Sequence, residues 1–137
     1  MSRSQANFDR YFAERARANS PVVKDPDNLT EREYLRLFAA RPGMYIGYTC
    51  LRGVTCYLDG YDQASRRLGG PGLDGFREWL MANYVGESSF TWSAMIKSIA
   101  LPDWDFQTDL TTEQELHALV TLFDLLDKFL EERERTA

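Results

Sequence analysis

The sequence predicts an all-α fold, a single-domain bundle of five to six helices with a long C-terminal helix. Three observations carry this. Apolar residues recur at spacings of three and four behind Thr30, Thr49, Thr91 and Thr112. Thr30-Glu31-Arg32-Glu33 and Thr112-Glu113-Gln114-Glu115 both have the form of a capping box, the signature of a helix start. No segment alternates as a half-buried strand does, and only Met44-Tyr45-Ile46 allows a short extended piece. At 137 residues with 44% apolar and 13% aromatic content, the chain is long enough for one packed core. Residues 1–28 read as an N-terminal helical arm and linker, and residues 29–137 as the bundle domain.

The first helix spans residues 4–18. Phe8, Tyr11, Phe12 and Arg15 share one side, a short apolar stripe that suits a loosely packed arm. Asn19 to Asn28, with Pro21 and Pro26, is the linker. The second helix starts at the Thr30 cap, with Leu29 and Tyr34 as its hydrophobic staple. Its inward residues are Tyr34, Leu37 and Phe38. Pro42 stops it, and Gly43 behind the proline makes a Pro-Gly turn.

Arg41-Pro42-Gly43-Met44-Tyr45-Ile46-Gly47 is the least ordinary stretch. It has two readings: a structural corner that plugs the gap between helices, or a corner whose Arg41 and Tyr45 face outward to a partner. Thr49 then caps a helix running to Arg67, with Leu51, Val54, Leu58 and Tyr61 on one face. Gly69-Gly70-Pro71-Gly72 ends it as a flexible connection. That run lacks the Lys-Ser/Thr of a phosphate loop. Residues 73–84 form a short helix with Phe76, Trp79 and Leu80 inward. Residues 91–100 form another, capped by Thr91, with Trp92, Met95, Ile96 and Ile99 inward. Leu101 to Leu110 is a loop, and its Trp104 is expected to be more exposed than Trp79 or Trp92. The last helix begins at the second capping box. Leu116, Leu119, Val120, Phe123, Leu126 and Leu130 make its stripe, through to about Arg135.

Charge is unevenly placed. Residues 1–41 hold eight Lys or Arg against six Asp or Glu, and residues 42–137 hold eight against fifteen. Ser98 to Asp127 carries Asp103, Asp105, Asp109, Glu113, Glu115, Asp124 and Asp127 with no basic residue between. Such a surface repels phosphate backbones and attracts basic partners, so no nucleic-acid partner is expected. No apolar run approaches a membrane span, and Met1 to Gln5 has no apolar segment behind it, so neither a membrane anchor nor a secretory signal is expected. The expected compartment is the cytoplasm. Cys50 and Cys56 lie about 240° apart around one helix, cannot bridge there, and are expected as free thiols.

The sequence carries no recognisable catalytic constellation. His117 is the sole histidine, with no nucleophile in context, and reads as structural, beside the buried stripe. Asp124 and Asp127 lie three apart, but the Glu-x-x-His ligand pattern of helical-bundle metal sites is absent. No cofactor or metal is expected, and no enzymatic activity.

Arg41 to Gly47 resembles a stretch near the N-terminus of the DNA gyrase B subunit, where a helix also precedes and follows it. The Asn/Asp-rich helix and Asp-x-Gly-x-Gly loop of that family's ATP site are missing, so the resemblance is local and implies no ATPase. A wider set comprises Arg41–Gly47, Tyr57-Leu58-Asp59-Gly60-Tyr61-Asp62-Gln63-Ala64, Phe76-Arg77-Glu78-Trp79-Leu80, Trp92 and Leu122 to Leu130. It resembles small helical proteins of actinomycetes and Gram-positive bacteria associated with immunity to polymorphic, contact-dependent toxins, over about residues 30–132. That resemblance implies a non-enzymatic immunity protein or antitoxin that occludes a cognate toxin. The expected contact residues are Arg41, Tyr45, Asp103, Trp104, Asp105, Asp109, Glu113 and Asp124, facing a toxin with a basic surface. The alternative is a helical scaffold or regulatory module.

Overall fold

The computed structural model describes residues 3–18 and 25–136, with side chains from Asn7 onward. Among the described residues the fold is all-helical: α1 (Arg3–Ala18), α2 (Glu31–Ala40), α3 (Pro42–Ile46), α4 (Leu51–Arg67), α5 (Phe76–Leu80), a π turn (Met81–Val85), α6 (Trp92–Ala100) and α7 (Thr112–Thr136). The expected five to six helices become seven because the corner itself is helical. Pro42 has its φ preset for a first helical position, and its missing N–H is one that a helix start leaves unpaired anyway. Gly47, at φ 80°, ends the turn, with its N–H donating to the Gly43 carbonyl at 2.8 Å. The short extended piece allowed at Met44–Ile46 is therefore a helical turn. The positive φ falls at Gly47 rather than at Gly43.

Helix α7 is the axis of the bundle, and α2, α4, α5 and α6 all lean on it. Its buried stripe is Ala118, Leu119, Leu122, Phe123, Leu126, Phe129 and Leu130, while Leu116 and Val120 are only half-buried. Helix α2 runs antiparallel to it: Arg32 reaches Asp127 and Glu131, and Phe38 meets Phe123. Helix α4 runs parallel to it. The Leu51 N–H donates to Glu115 Oε2 at 3.0 Å, and Arg133 Nη1 donates to the Gly72 carbonyl at 3.0 Å. Helix α1 lies along α2. Its Phe8 and Phe12 are both buried, with Phe12 edge-on to Phe123 at 5.4 Å. The linker expected over residues 19–28 is described only from Asp25 onward; residues 19–24 lie outside the described residues.

Several local expectations shift by a residue or more. On α2 the buried pair is Leu35 and Phe38, and Leu37 is 38% exposed. The cap of α4 is Cys50, whose Sγ accepts from the Gly53 N–H at 3.3 Å. Thr49 is instead buried, and its hydroxyl donates to Asp9 Oδ1 at 2.9 Å. Thr111 and Gln114 form the box that starts α7, each side chain accepting from the other's backbone N–H. Glu115 is thereby freed to serve α4, whose first N–H groups have no partner within their own helix. Thr30 and Glu33 form their box as expected, and Thr91 caps α6.

The glycine run after α4 is pinned rather than loose. The Gly72 N–H donates to Ser65 Oγ at 3.1 Å and the Leu73 N–H to Asp62 Oδ1 at 2.7 Å. Gly72 sits at φ 50°, and a Cβ there would lie 2.9 Å from the Asp62 carbonyl oxygen. Gly72→Ala is expected to cost about 2 kcal/mol, combining left-handed strain with a backbone clash. Urea denaturation measures it. A loss under about 0.5 kcal/mol would show that the turn does not close on α4.

Candidate functional site

The loop between α6 and α7 doubles back along α6. Asp105 holds its turn: Oδ1 accepts from the Gln107 N–H at 2.9 Å, the Thr108 N–H at 3.0 Å and the Thr108 hydroxyl at 3.0 Å. Those bonds, the Thr108 N–H first, hold the Asp105 carboxyl below its usual range. Trp104 Nε1 donates to the Thr108 carbonyl at 2.9 Å, and Lys97 Nζ lies 5.7 Å from the Trp104 ring centre. Between these anchors stands Phe106, at φ 63° the one non-glycine residue with positive φ among the described residues. A β-carbon makes that conformation costly, so the surroundings must impose it.

The imposed turn aims the Phe106 ring outward. It packs tilted against Trp104 at 4.7 Å and meets Phe90 at 5.8 Å, and Phe90 and Phe106 are each 46% exposed. Phe90 is placed by Arg77, which donates to the Phe90 carbonyl at 2.8 Å and the Ser88 carbonyl at 2.5 Å. Phe90 and Phe106, from two loops, thus form an exposed apolar ridge backed by the half-buried Trp104. Asp103, Asp105 and Asp109 lie on the same loop as Phe106, all exposed.

The expected contact residues do not form one surface. Asp103, Trp104, Asp105 and Asp109 come together. Trp104 is half-buried, as Trp79 and Trp92 are, so Phe106 takes the exposed place assigned to it. Glu113 is exposed in the first turn of α7. Asp124 turns toward α1 and pairs with Arg15. Asp127 accepts from Arg32 and Arg36, from Nε and Nη2 of each, at 2.8–3.1 Å. Burial pushes the Asp127 carboxyl up, and the two guanidiniums outweigh it, leaving it below its usual range. Three of the seven acids in the run, Glu115, Asp124 and Asp127, are therefore engaged by other helices of the bundle.

Arg41 and Tyr45 sit at the α2–α3 corner. Arg41 is exposed, and Tyr45 is only 36% exposed because its ring meets Phe38, Tyr34 and Tyr57 edge-on. Met44 at 71% and Tyr48 at 56% are the residues that protrude. Beneath them the Tyr34 and Tyr57 hydroxyls share a 2.5 Å hydrogen bond. Burial first, then that bond, holds the Tyr57 phenol well above its usual range.

His117 is exposed rather than set beside the core. Cys50 and Cys56 are free thiols. Among the described residues no group of three or more His, Cys, Asp or Glu could hold a metal, and no helix is long and apolar enough to cross a membrane. The site is defined as a class by presentation: rings held out beside carboxylates. Compared with known proteins, the chain matches no family model, no curated protein and no solved structure.

Proposed function

We propose that the protein is a non-enzymatic binding protein, an immunity protein that occludes a toxin with a basic surface through the ridge of Phe90, Trp104 and Phe106 and the carboxylates beside it. The observation that carries this reading is Phe106: an aromatic ring held outward at positive φ, between Trp104 and Phe90. Backbone strain of this kind persists only where the rest of the structure enforces it, and it concentrates at functional sites. Large aromatic side chains dominate the energetics of interfaces, and charge at their rim sets encounter and partner choice. Asp103 and Asp109 supply that rim; Asp105 shapes the loop that holds it. The resemblance to toxin-immunity proteins points the same way.

The test is Phe106→Gly. Glycine relieves the left-handed strain and regains chain entropy when unfolded, so stability is expected to stay within about 0.5 kcal/mol of wild type. Binding to a toxin encoded beside the gene is expected to weaken by about 30-fold, the loss of one hot-spot ring. Asp103→Lys with Asp109→Lys is expected to slow association and flatten its salt dependence. Calorimetric binding and growth rescue of toxin-expressing cells read both. Unchanged toxin binding in Phe106→Gly removes the ridge from the interface. A large loss of stability shows that the ring is packing rather than presented surface.

Met44 and Tyr48 favour a second reading, a scaffold or regulatory module that binds through the corner. Met44→Ser with Tyr48→Ser separates the two, because it abolishes partner binding only under that reading.

A further inference from the structure

Helices α1, α2 and α7 enclose a cleft of 440 Å³ that shares no residue with the ridge. Its size falls in the range of small-molecule sites. Phe12 and Phe123 wall it, and Ala16, Ala39 and Ala40 leave it open because their side chains stop at Cβ. Arg15, Arg36, Asp124 and Asp127 line it too, so the cleft has an apolar body and a charged edge.

That edge is not balanced in hydrogen bonding. Asp127 accepts four hydrogen bonds from Arg32 and Arg36, which fills its two oxygens. Arg36 donates only through Nε and Nη2, and Arg15 only through Nη2, to Asp124. Arg36 Nη1 and Arg15 Nε and Nη1 have no protein acceptor among the described residues. A guanidinium carries five N–H donors and no acceptor. Surplus donors beside the saturated Asp127 select a ligand that brings acceptors. The Arg15–Asp124 pair is also the softer one, since the Asp124 side chain is 56% exposed. An incoming anion can take Arg15 while Asp124 turns to water.

From this we infer that the cleft binds an amphipathic small molecule with an aliphatic or aromatic body and a carboxylate head, the body over Ala16, Ala39 and Ala40 against the wall that Phe12 and Phe123 form together, and the head on Arg15 and Arg36. Planar, two-point recognition of carboxylate is what guanidinium groups do best. The inference is independent of the toxin-binding reading, because none of these residues belongs to the ridge.

Isothermal titration calorimetry of the full chain tests it, with decanoate and decylammonium as probes below their aggregation concentrations. Decanoate is expected to bind saturably at one site, at least about tenfold tighter than decylammonium, the difference one charge-assisted contact makes. Arg15→Gln is expected to lose about tenfold in decanoate affinity. Ala40→Leu fills the cleft and is expected to abolish binding with an unchanged circular dichroism spectrum. The proposal is overturned by the absence of saturable binding, by equal affinity for the two probes, or by decanoate binding that survives both variants. If Ala40→Leu does not fold, the Arg15→Gln affinity decides alone.

Discussion

Phe38→Ala is expected to remove roughly 4 kcal/mol of stability and to lower the thermal midpoint by about 15 °C. Phe38 is fully buried where α2, α3, α4 and α7 meet. Its ring stacks on Tyr57 at 4.4 Å and meets Tyr45 at 5.4 Å and Phe123 at 6.0 Å. Truncation empties a volume bounded by three other rings, none of which can collapse into it without leaving its own neighbours. The short Tyr34–Tyr57 hydroxyl bond beside it loses its backing. Such a loss is a large share of the 5–15 kcal/mol that a domain of this size holds. Differential scanning calorimetry reads the midpoint. A shift of only a few degrees would mean that the four elements do not converge on this ring. Phe38→Leu, which keeps most of the volume, should cost about half as much.

Asp127→Ala is expected to cost about 2 kcal/mol at neutral pH. The side chain is 29% exposed, so the value lies between that of a surface pair and that of a fully buried one. Alanine leaves Arg32 with Glu131 alone and Arg36 with no acceptor among the described residues. The loss depends on pH in a definite direction. The Asp127 carboxyl titrates below its ordinary value of 3.8 in the folded protein. Its contribution is therefore complete above that ordinary value and disappears as pH falls through the lowered one. Wild type and Asp127→Ala should differ fully at pH 7 and converge in strong acid. Glu31 works the other way. Burial, only partly offset by Arg133, raises its carboxyl above 4.5, and its buried Oε2 has no hydrogen-bond partner among the described residues. Protonation of Glu31 stabilises the fold as pH falls through the raised value. Urea titrations at several pH values measure both effects. A constant gap between wild type and Asp127→Ala from pH 7 down to strong acid would show that the arginines do not depend on this carboxylate.

Helix positions were legible wherever one stripe faced one partner. Leu51, Val54 and Leu58 on α4, and Leu119, Phe123, Leu126 and Leu130 on α7, lie buried where their spacing put them. The Thr30–Glu33 box and the Thr91 cap were readable because each is a contact within one turn. Leu35 and Leu37 were not separable by spacing, since both neighbour the stripe through Phe38; the placement of α1 and α7 around α2 decides between them. The Thr111 and Thr112 boxes differ by one residue and look equivalent locally. Glu115 settles the register by serving α4, a contact between residues 64 positions apart.

The site was less legible for the same reason. A run of acids was visible, but its partners, Arg15, Arg32 and Arg36, lie more than 90 positions away in the chain. Trp104 drew attention by its type. Phe106 is exposed because of a backbone conformation that Asp105 and Thr108 create, and residue type alone does not report φ. Asp105-Phe106-Gln107-Thr108 is a side-chain-closed turn, and the aspartate two positions before Gln107 was the available signal.

The order in which the elements leave the ribosome now matters. Helix α7 follows every helix that leans on it, so α2, α4, α5 and α6 emerge with their apolar faces turned toward a partner not yet synthesised. Secondary structure can form early in such a chain, but the lasting tertiary contacts wait for residues 112–136. A nascent chain stalled before Thr112 should stay protease-sensitive and hold chaperones, and one that has released α7 should not. The loop that carries Phe106 immediately precedes α7, so under the proposed function the protein would acquire its partner surface and its stability at nearly the same point of synthesis.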